Sequence, residues 1–252
     1  MGNSGMRRQR RKIGILVPSS NTTVEYDFQR ALPDYVSLHA ARMWLVGSNE
    51  DVLERMDEDL DDVVDHLASA AVDLIVYACT GGSLKGGPGY DQAVQARIEK
   101  RADGIPAISA SSAVLSAIKE LGLKKLTVVT PYPKEMTDTV GRYMEGCGFK
   151  VLNLAGRNHQ SNLAIAEDYS ENIIDFAMAQ LHPDSDGLFF SCTNWQTADL
   201  AGIIEDKTGV PVITSNQATI WATLKAIRCE KTVPGFGRLL AFRPQDHSAK
   251  VG

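Results

Sequence analysis

The chain has 252 residues, of which 44% are hydrophobic, and a formal net charge of −5. That is enough apolar material for a sizeable core in one or two domains. The acidic balance argues against a nucleic-acid partner and gives no reason to expect a membrane surface, and no apolar run approaches the roughly 20 residues needed to cross a bilayer.

Residues 1–12 carry Arg7, Arg8, Arg10, Arg11 and Lys12. They lack the apolar stretch and small-residue cleavage site of a secretory signal, so a disordered basic arm is expected. The four cysteines, Cys79, Cys147, Cys192 and Cys229, form no CxxC pair and have no histidine at ligand spacing, so no metal is expected. With nothing else pointing to secretion, reduced thiols in a cytoplasmic protein are expected.

A strand is predicted over residues 13–17, leading into Pro18-Ser19-Ser20-Asn21-Thr22-Thr23-Val24-Glu25. Thr22 and Glu25 have capping-box spacing, and the helix they start runs past Phe28 to the break at Pro33. Ser19, Ser20 and Asn21 then occupy a strand-to-helix turn, where they either gather donors around an anion or only cap the helix; the local pattern fits both. A second strand follows at 35–45. One helix is predicted over 49–71, with Val52, Leu53, Met56, Leu60, Val63, Val64 and Leu67 on its apolar face and the acids of 57–62 on a solvated one.

Next comes Leu74-Ile75-Val76-Tyr77-Ala78-Cys79-Thr80-Gly81-Gly82-Ser83, an apolar strand that ends on a thiol and gives way to small, donor-rich residues. The glycines of 81–89 match neither a GK[ST] phosphate loop nor GxGxxG spacing, so a loop that approaches or covers a small substrate is expected. A helix over 91–100, the strand Ile105-Pro106-Ala107-Ile108-Ser109 and an alanine-rich helix complete this part.

The pattern then repeats. Asp186-Gly187-Leu188-Phe189-Phe190-Ser191-Cys192-Thr193-Asn194 copies the stretch around Cys79 with Asp, Cys and Thr in register, 113 residues later. Pro18 and Pro131, each closing an apolar strand, are separated by the same interval, and Val210-Pro211-Val212-Ile213-Thr214 matches the strand that starts at Ile105. Two homologous α/β halves are therefore predicted, over 13–122 and 123–252, with the C-terminal segment free to cross back. Each is expected to be Rossmann-like (flavodoxin-like) with a parallel sheet, the two related by pseudo-symmetry, with the active site in the cleft between them at the carboxyl ends of the strands.

Ser19, Asn21, Cys79, Tyr132 and Cys192 all lie just past such ends. Tyr132 holds the repeat position of Ser19, so its hydroxyl is expected in the same cleft. Thr80, Gly81, Thr193 and Asn194, which follow the two thiols, are expected to touch substrate, and Asn162 enters from the loop predicted over 158–167. Strand-end amides should lower the thiol pKa values. Two facing thiols can move a proton from one side of a bound molecule to the other, or act as nucleophile and acid; neither route needs a cofactor, and none is expected. Cys147 and Cys229 read as small buried hydrophobes.

The stretch from Pro18 to Glu25, with Ala78-Cys79-Thr80-Gly81-Gly82-Ser83, Thr130-Pro131-Tyr132 and Ser191-Cys192-Thr193-Asn194, resembles the maleate cis–trans isomerase group of the aspartate/glutamate racemase superfamily. The same group includes arylmalonate decarboxylases and proteins associated with ectoine utilisation, and the resemblance covers nearly the whole chain after Lys12. It implies that Cys79 adds as a thiolate to an alkene carbon of maleate, that Cys192 protonates the neighbouring carbon, and that rotation and elimination give fumarate. Asn21 and Tyr132 match residues that hold the carboxylates. Asn162 matches another, although Glu167 stands where a basic residue is common. The decarboxylase branch implies one working cysteine in the second half and a small residue at the first position, whereas this chain has both thiols. A racemase, another ectoine-utilisation enzyme and a non-catalytic carboxylate-binding protein are the other readings. The resemblance also implies a dimer or larger homo-oligomer.

Overall fold

The computed structural model describes residues 10–46 and 50–241. In chain order the first half comprises β1 (Arg11–Pro18), α1 (Val24–Ala31), β2 (Val36–Met43), α2 (Glu50–Glu58), α3 (Leu60–Ser69), β3 (Leu74–Tyr77), α4 (Thr80–Leu84), α5 (Tyr90–Arg101), β4 (Ala107–Ser109) and α6 (Ala110–Glu120). The second half comprises β5 (Lys125–Thr130), α7 (Lys134–Gly146), β6 (Lys150–Gly156), α8 (Asn162–Ala166), α9 (Ser170–Gln180), β7 (Gly187–Phe190), α10 (Ala201–Thr208), β8 (Val212–Thr214), α11 (Ser215–Ala226) and α12 (Gly237–Ala241).

Two parallel four-stranded sheets result, ordered β2-β1-β3-β4 and β6-β5-β7-β8. The order is the same in both, and the repeated residues explain part of it. Asp73 Oδ2 accepts the Lys12 amide at 2.7 Å, and Asp186 Oδ1 accepts the Lys125 amide at 2.8 Å, so each aspartate clamps the start of the neighbouring strand. Ser109 with Ser112, and Thr214 with Gln217, form capping boxes that turn β4 and β8 into the helices that follow.

Three expectations need correcting. The basic arm ends sooner than expected, because Arg11 and Lys12 already belong to β1 and are held by Asp73; residues 1–9 lie outside the described residues. The helix predicted over 49–71 is two, broken at Asp59, whose carboxylate turns to accept the Trp44 amide at 2.9 Å. Short helices, α4 and α8, form inside the stretches predicted as loops.

Alternation along the strands sorts the interior into two clusters. Ile13, Ile15, Val17, Leu74, Val76 and Ala78 join Leu126, Val128, Leu188 and Phe190 in one core that runs through both halves. Leu16, Ile75, Tyr77 and Cys79 face the other way, beneath α2, α3 and α5. At the junction α6 packs on α11 and α1 touches α11. The C-terminal segment reaches the first half again, where Tyr35 Oη meets Cys229 Sγ at 3.2 Å and Lys231 Nζ donates to the Leu32 carbonyl at 3.0 Å.

Candidate active site

Cys79 is the N-cap of α4, and its Sγ accepts the Gly82 amide at 3.3 Å. Cys192 stands at the same point beyond β7, with the Asn194 amide 3.3 Å from its Sγ. Both thiols line one cavity of about 410 Å³, counted out to its mouth. Asn21, Thr80, Gly81, Tyr132, Asn162, Thr193 and Asn194 line it as well, so the structure brings together all but one of the residues expected there. The exception is Ser19, whose hydroxyl accepts the Leu45 amide at 2.9 Å and donates to its carbonyl at 3.3 Å, holding the segment after β2 in place.

Several of these side chains are occupied in joining the halves. Asn21 Nδ2 donates to Thr193 Oγ1 (3.1 Å), which itself donates to the Ala78 carbonyl (3.0 Å). Asn194 Oδ1 accepts the Thr22 amide (2.9 Å), its Nδ2 donates to the Asn162 carbonyl (2.7 Å), and its own carbonyl accepts Thr23 Oγ1 (2.9 Å). Thr80 Oγ1 donates to Ser215 Oγ at 2.9 Å. The expected capping box gives way to Asn21, whose Oδ1 accepts the Thr23 and Val24 amides at 2.9 and 3.0 Å; Glu25 is paired with Arg42. Asn162 Nδ2 reaches across to Ser20 Oγ at 2.8 Å.

The electrostatics correct the expectation of low thiol pKa values. Burial pushes Cys79 up to about 12, against the opposing pull of the Gly82 amide, and the negative charge that Cys192 would carry pushes in the same direction. Cys192 is also raised by burial, opposed by the Tyr132 hydroxyl and the Asn194 and Trp195 amides. Desolvation outweighs the strand-end donors in both cases. No charged side chain is among the described residues that line the cavity. Nor is any group of three or more His, Cys, Asp or Glu, among the described residues, placed to hold a metal ion.

Leu45, Leu53 and Met136 form an apolar wall that sequence reasoning missed. Leu53 lay on a helical stripe indistinguishable from core, while Met136, one turn into α7 from the Tyr132 turn, offered a signal. Beyond Cys192, the Trp195 indole donates to Asp168 Oδ2 at 3.0 Å, and Arg157 Nε pairs with the same oxygen at 2.8 Å. The buried Asp168 carboxylate thereby fixes the segment that carries the Asn194 and Trp195 amides.

A family model described as Amdase, arylmalonate decarboxylase, matches residues 13–240. The chain belongs to this family. Among its relatives, a maleate isomerase of Pseudomonas putida is 31% identical over 242 residues, 91% of this chain and 97% of that protein. The crystal structure of a maleate isomerase from Pseudomonas putida S16 with maleate, 29% identical, superposes with a TM-score of 0.88 over 92% of this chain and 97% of the other. A cysteine-to-serine mutant of the Nocardia farcinica maleate cis–trans isomerase, with a covalently bound succinylcysteine intermediate, is 27% identical and gives 0.87 over 91% and 98%. In this family setting, the two thiols at equivalent strand ends are the feature on which a reaction can be built.

Proposed function

We propose that the protein is a maleate cis–trans isomerase working through Cys79 and Cys192 without a cofactor. The observation that carries this reading is the pair of thiols at equivalent ends of β3 and β7, lining one cavity. Addition of one thiolate to maleate, followed by protonation of the next carbon, yields a succinylcysteine, the species held by the Nocardia farcinica relative.

Cys79, as thiolate, forms a C–S bond to one alkene carbon, and the π pair moves to the neighbouring carbon, where the attached carboxylate delocalises it. Cys192 gives its S–H proton to that carbon. The former double bond is now single and rotates. Cys192 thiolate then removes a proton from the same carbon, the C–S pair returns to Cys79, and fumarate is released.

The substrate carboxylates meet neutral donors: the first-turn amides of Thr80 and Gly81, which have no carbonyl one turn earlier in α4, the Tyr132 hydroxyl, Asn21 and Asn162. Away from bulk water such dipoles act more strongly than they would in solution. The wall of Leu45, Leu53 and Met136 keeps competing water from the carbanion. We take the working unit to be a homo-oligomer of two or more chains, as the resemblance implies, and a cytoplasmic one, as the cysteine usage implies.

The test is proton NMR of the reduced protein with maleate in heavy water, alongside Cys79→Ala and Cys192→Ala. Fumarate should appear with the wild type and with neither variant. Unchanged maleate, with deuterium entering the α-carbon of another acid, would move the reaction to racemisation; saturable binding without turnover would make the protein a carboxylate binder.

A further inference from the structure

The reaction proposed above leaves a neighbour of Cys79 unused. Side chains alternate along β3, so Tyr77 and Cys79 share the face turned toward α2, α3 and α5. Tyr77 is fully buried, and its hydroxyl has no hydrogen-bond partner among the described residues. A phenylalanine would fill the same space without that unmet donor, so the hydroxyl calls for an explanation.

Geometry supplies one. A Cβ built on Gly82 would lie 2.5 Å from the Tyr77 hydroxyl oxygen and 3.2 Å from Cys79 Sγ. Both atoms thus border the small space that glycine at 82 leaves, which the Met56 methyl, 2.5 Å from the same point, closes on a third side. Behind Tyr77, Asp57 Oδ2 is taken by Lys85 Nζ at 2.7 Å and Tyr90 Oη at 2.8 Å. Its buried Oδ1 has no partner among the described residues and is not bonded to Tyr77. As a thiol, Cys79 is served by the Gly82 amide. A thiolate needs more donors than a thiol, and charge-assisted bonds are the stronger ones.

We propose that Tyr77 stabilises the Cys79 thiolate: once the thiol proton has left for solvent, the Tyr77 O–H turns across the gap above Gly82 and donates to Sγ. Tyr77 keeps its own proton throughout. Burial first, then the negative charges that Cys79 and Asp57 carry, hold its phenol well above the ordinary range. The idea rests on the reading of Cys79 as nucleophile. The titratable and charged groups facing this pair are Asp57 from α2, Lys85 just past α4, Tyr90 and Arg97 from α5, and Cys192 across the cavity, and the test alters none of them.

Tyr77→Phe in the full-length reduced protein is compared with wild type for three quantities. These are the iodoacetamide alkylation rate of each cysteine peptide between pH 6 and 10, kcat and KM for maleate, and the melting temperature. Cys79 alkylation at pH 8 should slow about tenfold, the effect of roughly one pH unit on thiolate population. Turnover should fall to a similar extent while KM, Cys192 alkylation and the melting temperature hold or, for the last, rise. 3-Fluorotyrosine at position 77, the same shape with a stronger donor, should speed Cys79 alkylation. Unchanged Cys79 alkylation in both variants overturns the proposal and leaves an isomerase standing if maleate still turns over. Slower alkylation in Tyr77→Phe, in a protein whose wild type ignores maleate, upholds the donor and removes the isomerase.

Discussion

Cys79 and Cys192 stand at matching strand ends, yet their sulfur atoms are received differently. The Asn194 and Trp195 amides and the Tyr132 hydroxyl meet Cys192, whereas the Gly82 amide meets Cys79. A thiol whose conjugate base has more donors is the stronger acid. One with fewer yields a more basic, more nucleophilic sulfur once it is ionised. The two strand ends thus present one device twice, and the surroundings that differ between the halves suit the proposed roles of acid at 192 and nucleophile at 79. Burial favours the protonated form of both. The pair that the proposed mechanism needs, thiolate at 79 and thiol at 192, is therefore a minor state, and the less favoured of the two singly ionised ones, that the substrate selects.

The widest break in this comparison comes from removing one sulfur at a time. Cys192→Ser should lose roughly four orders of magnitude or more in turnover, in line with removing one member of a catalytic unit. Mass spectrometry should nevertheless find a succinyl group on Cys79 after incubation with maleate. Cys79→Ser should be equally inactive and carry no adduct, and an adduct on Cys192 in that variant would reverse the two roles.

Tyr132→Phe sharpens the same contrast. Loss of a preorganised donor to Cys192 and substrate should reduce kcat about 100-fold. Alkylation of Cys192 should slow across the pH range, with Cys79 unaffected. Equal slowing at both cysteines would mean that the hydroxyl does not distinguish them.

The smallest effect concerns what stands behind the second thiol. Asn216 Nδ2 donates to the Thr193 carbonyl at 2.9 Å and to Asp27 Oδ2 at 2.7 Å, so α1 of the first half backs the Cys192 segment. Asp27 is buried, and desolvation pushes its carboxyl up from 3.8 to about 7. A carboxyl raised in this way destabilises the folded state when ionised: the penalty is absent below pH 4, grows from pH 4 to 7 and is complete above. Asp27→Asn removes it. Denaturant unfolding should find the variant more stable than wild type by roughly 2–4 kcal/mol at pH 8, at about 1.4 kcal/mol per pH unit. At pH 4 the two should be alike.

The elements that the sequence announced were those governed by local pattern. Short continuous apolar runs identified β1, β3, β5 and β7, and the repeat of Asp, Cys and Thr placed two thiols at strand ends. What stayed hidden depended on partners far along the chain. Asn21, Thr193 and Asn194 were expected to face substrate, but their side-chain bonds span about 172 residues and lock one half to the other. Nothing adjacent in sequence signals such a partner. The thiol pKa values went the wrong way for a related reason: strand-end amides are visible in a sequence, whereas the depth of burial that outweighs them is a property of the assembled core. Leu53 had the same spacing as true core leucines, and only the cavity distinguishes it.

The core that runs without interruption from Ile15 and Val76 to Val128 and Phe190 has a consequence for engineering. Such a surface is what the interface of an obligate dimer looks like once a linker has made it permanent, between two sheets of the same strand order. A half expressed by itself would turn those side chains to water, each at a cost of roughly 1.5–3 kcal/mol. Splitting the gene between Leu121 and Lys125 should therefore yield fragments that fold only when they meet, and meeting would bring the two sulfur atoms back into register.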